Sequence, residues 1–137
     1  MSNEEVITTD IAGEAKEMYF ENRDFLCQLA IDILEYNDGL YYSYSESGWR
    51  CVQTNDDYKE VELSEIGLVD RVDYLIHELG FSTIDASLPE GIWFLKLDQQ
   101  IRCGLFYYRE GEEGKSIGPG KKIHIESNWY YVEVGMT

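Results

Sequence analysis

Apolar side chains recur at helical spacing through the first quarter of this chain. Between Asp10 and Tyr36, Met18, Phe25, Leu26, Leu29, Ala30 and Ile33 fall on one broad side of a 3.6-residue helix. Glu14, Glu17, Glu21, Asp24, Gln28, Asp32 and Glu35 step by three or four along a narrow stripe, and six of these seven are acidic. The pattern predicts one long amphipathic helix, capped by Thr9 or Asp10 and stopped at Asn37-Asp38-Gly39, where Gly39 suits the left-handed position after a helix. Residues 1–9 read as a polar, frayed leader.

The period then changes. Leu40 to Tyr44 and Trp49 to Thr54 are aromatic and β-branched runs around Ser45-Glu46-Ser47-Gly48, a predicted hairpin, and Tyr58 to Leu63 is a candidate third strand. Ile66, Val69, Val72, Leu75, Ile76 and Leu79 return to helical spacing, with Ser64 as cap and Gly80 as stop. Beyond Pro89-Glu90-Gly91, Ile92 to Leu97 is apolar on both alternating faces apart from Lys96, as a covered central strand would be. Ile101 to Arg109 answers it, with Ile101, Cys103, Leu105 and Tyr107 on one face. After the loop from Gly111 to Gly120, Lys121 to Ile125 and Trp129 to Val134 form a hairpin about Ser127-Asn128. The order predicts an α+β fold: one antiparallel sheet of about five to seven strands with two helices packed on it, in a single domain spanning residues 1–137.

Charge changes this picture more than composition does. Hydrophobic residues make up 44% of the 137, enough for a core, so the chain should fold despite a net charge of −16. Residues 1–90 carry 21 Asp and Glu against 5 Lys and Arg, whereas residues 91–137 carry 6 of each. The acidic field therefore belongs to the first two thirds. It repels phosphate backbones and anionic membranes, so direct nucleic-acid or membrane binding is not expected, and it attracts basic proteins. Met1 to Ile11 lacks the pattern of an export signal and no apolar run is long enough to span a bilayer, so the expected compartment is the cytoplasm.

Catalytic patterns are missing. Cys27, Cys51 and Cys103 sit among apolar neighbours without metal-ligand spacing and read as reduced core residues. His77-Glu78 is followed by Phe81 where a metalloprotease helix needs histidine, and Gly114 to Lys122 is out of register for a phosphate loop. Neither a cofactor nor a metal is expected, and the chain reads as a non-enzyme. A carboxylate-based hydrolase needs only two acids at the right separation, which 27 carboxylates supply in composition alone.

Two binding readings follow. In composition the chain resembles DNA-mimic inhibitors (anti-restriction or anti-CRISPR-like) and the immunity proteins that neutralise nucleases. Carboxylates on successive helical turns lie ~5–6 Å apart, close to the spacing of phosphates along a strand. On this reading Glu14, Glu17, Glu21, Asp24, Asp32 and Glu35 form one partner-binding patch, and Asp56, Asp57, Glu60 and Glu62 a second. The partner is a basic protein, a nucleic-acid-binding enzyme above all. Because 27 of 38 charged residues are acidic, a solvated polar face would show much the same stripe. The alternative is a protein-interaction or small-ligand module using the aromatic sheet residues Phe106, Tyr107, Tyr108, Trp129, Tyr130 and Tyr131, which could also serve a homodimer.

Overall fold

The computed structural model describes residues 11–36, 40–45, 48–53, 59–60, 67–98, 101–117 and 120–134. Among these residues three helices, α1 (Ile11–Glu21), α2 (Arg23–Tyr36) and α3 (Val69–His77), accompany eight strands. These are β1 (Leu40–Ser45), β2 (Gly48–Gln53), β3 (Lys59–Glu60), β4 (Thr83–Leu88), β5 (Gly91–Asp98), β6 (Ile101–Tyr108), β7 (Gly120–Glu126) and β8 (Trp129–Val134). They form one sheet in the order β3-β2-β1-β4-β5-β6-β8-β7, and every pairing is antiparallel. The fold is α+β.

Three tight connections set the register of the C-terminal half. Leu88 faces Gly91, Asp98 faces Ile101 and Glu126 faces Trp129, so each hairpin closes through two residues. In the last of these Ser127 takes φ +47°, the left-handed conformation such turns favour. Strands β5 and β6 approach so closely that a Cβ on Gly104 would stand 1.9 Å from the Phe94 carbonyl oxygen. Only glycine fits there.

Side-chain alternation gives the sheet two unlike faces. Ile92, Phe94, Leu105 and Trp129 point to the helices and pack with Tyr19, Leu26, Leu29, Ala30, Ile33, Val72 and Leu75. Ala15 extends this contact to Cys103 and Tyr131. On the other face Leu95, Phe106, Tyr108 and Val132 form a smaller apolar cluster with Trp93, Tyr130 and Ile117 around it. Segment 109–117 folds back over that cluster: Tyr108 donates its hydroxyl hydrogen to the Lys115 carbonyl, and Lys122 Nζ donates 2.9 Å to the Tyr108 oxygen. Cys27 and Cys103 lie half-buried and buried, and neither forms a disulfide.

Three sequence expectations change. The predicted long helix is interrupted at Asn22, giving three helices rather than two. The side chain of Asn22 donates 2.9 Å back to the Met18 carbonyl, the local competition with the helical ladder that asparagine favours. The helix predicted from Ser64 begins only at Val69, because Gly67 adopts φ +70° and no right-handed helix can run through it. Gly80, at φ +83°, ends that helical region as expected. Strand β4 was not anticipated and brings the count to eight. The leader, the Asn37-Asp38-Gly39 stop and the Gly118-Pro119 turn lie outside the described residues.

Candidate functional site

The acidic stripe is carried by two helices that meet at Asn22. Helix α1 lies over β8, with the Tyr19 ring 5.2 Å from Trp129. The Tyr19 hydroxyl donates 2.6 Å to Glu126 at the end of β7, and Arg23 lies 3.5 Å from the same carboxylate. Burial first, and then the bond to Glu126, hold the Tyr19 hydroxyl well above the usual tyrosine range, so it stays a proton donor. This knot fixes the junction of α1 and α2 to the sheet.

Helix α3 touches α2 through side-chain contacts near both ends of α2. Tyr74 donates 2.7 Å to Asn22 Oδ1 and stands edge-on to Phe25, with ring centroids 4.8 Å apart. Farther along, the Arg71 guanidinium bonds the Asp32 carboxylate, which also accepts 2.9 Å from Gln28 Nε2. The bond from Arg71, then that from Gln28, pulls the Asp32 carboxyl below its ordinary range.

The six predicted acids therefore divide. Glu14, Glu17, Glu21, Asp24 and Glu35 are exposed, and among the described residues none is paired with a cation. Asp32 is half-buried and holds α3 to α2. Helix α3 and the residue after it add Asp70, Asp73 and Glu78, which in the sequence are ordinary polar positions of a mixed helix face. The helices hold Glu14, Glu17, Glu21, Asp24, Asp32, Glu35, Asp70 and Asp73 against Lys16, Arg23 and Arg71.

Of the second predicted patch, Glu60 is the described residue, and it lies apart from α1. Glu60 is exposed on β3, the sheet edge, and five strands separate it from β8 under α1, roughly 25–30 Å at the usual strand spacing. Asp56, Asp57 and Glu62 lie outside the described residues.

Apolar exposure concentrates on the same helices. The exposed large hydrophobic side chains among the described residues are Phe20 (49%), Ile31 (44%), Tyr74 (39%) and Val69 (38%). Within α2, Asp24, Gln28, Ile31 and Glu35 follow one another by three or four residues and are exposed, so acidic and apolar groups share one outward face there. At the Asn22 break, Phe20, Glu21, Asn22, Arg23, Asp24 and Phe25 line a cleft of about 200 Å³. The aromatic sheet residues offer less: Phe106, Tyr108, Trp129 and Tyr131 are buried, and Tyr107 and Tyr130 half-buried. A cleft of about 260 Å³ borders that side of the sheet, between Trp93, Ile117, Lys121, Lys122 and Glu133.

Among the described residues no group of three or more His, Cys, Asp or Glu could hold a metal ion, and no helix is long and apolar enough to cross a membrane. No protein-family model matches this chain, and no curated protein or solved structure does either.

Proposed function

We propose that the protein binds and neutralises a basic nucleic-acid-binding protein, in the manner of a nuclease inhibitor or immunity protein. It would lay the outer face of its helical layer over the surface that otherwise holds phosphates. The observation that carries this reading is the run Glu14, Glu17, Glu21 and Asp24, exposed and without a cationic partner among the described residues. Such a run repels itself by roughly 0.2–0.5 kcal/mol per neighbouring pair, a cost that a basic partner would reverse. Charge of one sign on a braced surface also steers a basic partner to fast encounter. Asp32 is removed from the predicted contact set, because its carboxylate is already satisfied within the fold.

The test is competition. Lysate of the source cell is bound to immobilised duplex DNA and eluted at constant salt with the protein, or with a variant carrying Glu14→Gln, Glu17→Gln, Glu21→Gln, Asp24→Asn and Glu35→Gln. The protein should release a basic DNA-binding protein that the variant leaves bound. Release by both alike, or by neither, refutes the proposal.

A further inference from the structure

We propose that the cleft at the Asn22 helix break receives an arginine side chain of the basic partner, with aromatic rings as its walls and the carboxylates beside it as the counter-charge. This rests on the reading under Proposed function and names the contact on which that surface turns. Phe20 and Phe25 both line the cleft, and Tyr74 stands behind it, edge-on to Phe25 and bonded to Asn22. Phe20 is half exposed and Tyr74 more than a third. Glu21 and Asp24 stand at the lip, and Arg23, the one cation there, leans to Glu126.

The occupant follows from charge and shape together. A neutral apolar side chain would bury the rings and leave Glu21 and Asp24 without partners in a desolvated contact, which is costly. A lysine brings charge but a compact, strongly hydrated head. A guanidinium is planar and weakly hydrated, stacks on an aromatic face and bonds a carboxylate through two parallel N–H groups. Arginine is also enriched among the residues that dominate interfaces and phosphate-binding surfaces. The cleft is braced for such a role, since Asn22 is bonded to both Met18 and Tyr74.

The probes are fluorescein-labelled nona-arginine and nona-lysine, equal in charge, with binding read by anisotropy at fixed moderate salt. The wild-type protein should prefer nona-arginine, and the part of that preference owed to stacking should be about two- to fivefold per seated side chain. Phe20→Leu keeps apolar bulk and removes the ring, so the preference should fall by that factor while nona-lysine affinity stays unchanged. Tyr74→Phe keeps the ring and should retain the preference, and Phe20→Leu with Tyr74→Leu should lose it. Circular dichroism confirms that each variant is folded. In parallel, N-acetyl-arginine amide should shift the ring resonances of Phe20, Phe25 and Tyr74 in an NMR titration more than the lysine analogue does. An arginine preference that survives the double ring substitution, or ring resonances unmoved by the arginine probe, overturns the proposal. The five-acid amide variant should lose affinity for both peptides. If it binds both normally, the acidic-surface reading fails, an outcome distinct from failure of the aromatic contact alone.

Discussion

Tyr74 on α3 donates a 2.7 Å hydrogen bond to the side-chain oxygen of Asn22, the residue at which α1 and α2 part. The nitrogen of the same side chain bonds the Met18 carbonyl, so the break is tied both to its own helix and to its neighbour. The interruption is thus a built feature that opens a cleft in the middle of the acidic face. Tyr74→Phe preserves the ring contact with Phe25 and deletes only this bond. At a partly exposed site it should cost about 0.5–1 kcal/mol, read as a lower urea midpoint with an unchanged slope.

Charge on the stripe should be unfavourable for folding where helix ends do not offset it. Glu21 sits at the last position of α1, next to the negative end of the helix dipole and one turn from Glu17. Glu17→Gln with Glu21→Gln should therefore raise stability by about 0.5–1 kcal/mol at low salt, and the gain should shrink as salt is added. Glu14 and Asp24 lie in first turns, where a carboxylate favours the helix, so Asp24→Asn should bring no comparable gain. Thermal melts at two ionic strengths measure both.

Asp32 makes the acid limb of stability predictable. Its folded carboxyl gives up its proton more readily than in the unfolded chain, because Arg71 and then Gln28 bond the charged form. The resulting stabilisation is fully present above the unfolded value of about 3.9 and disappears as pH falls through the lower folded value. Asp32→Asn should lower stability at pH 7 by on the order of 1 kcal/mol. The difference from wild type should vanish at the acid end of a pH series followed by denaturant unfolding.

Gly104 tests the packing of the central strands. An added methyl group would stand 1.9 Å from a backbone oxygen of β5, which cannot move without disturbing the ladder. Gly104→Ala should cost about 3 kcal/mol or more. Gly80→Ala, at φ +83° with open space around the added methyl, should cost less, through backbone strain alone.

How legible each element was depended on where its signal resides. Strands β5, β6 and β8 show in the sequence because their apolar runs are continuous or strictly alternating and are closed by short turns. Strand β4 is fainter: Thr83, Asp85 and Ser87 alternate with Ile84, Ala86 and Leu88, but Asp85 and Ala86 are poor strand formers, so the run carries little strand propensity. The apolar period runs through Asn22 unbroken, from Met18 to Phe25, so periodicity alone joined two helices into one. The break coincides with a side-chain bond to the backbone, which composition does not announce. At α3 the apolar set continued back to Ile66, and only the backbone angle of Gly67 shows that the helix starts later.

The candidate surface divides in the same way. Exposure of Glu14, Glu17, Glu21, Asp24 and Glu35 follows from helical phase and was readable. The commitment of Asp32 to Arg71, 39 residues away, was not, because it depends on which helix lies alongside. Phe20 fell off the apolar side of the predicted helix, and that mismatch was the available sign of an exposed ring. Tyr74 gave no such sign until α3 was placed against Asn22.

The most direct measurement is affinity capture from the source cell's lysate on the tagged protein, eluted by a salt ramp and identified by mass spectrometry. The five-acid amide variant runs beside it. A basic nucleic-acid-binding protein should be retained by the wild type alone and released at moderate salt. Partners held equally by both proteins, or release independent of salt, would contradict the proposed function.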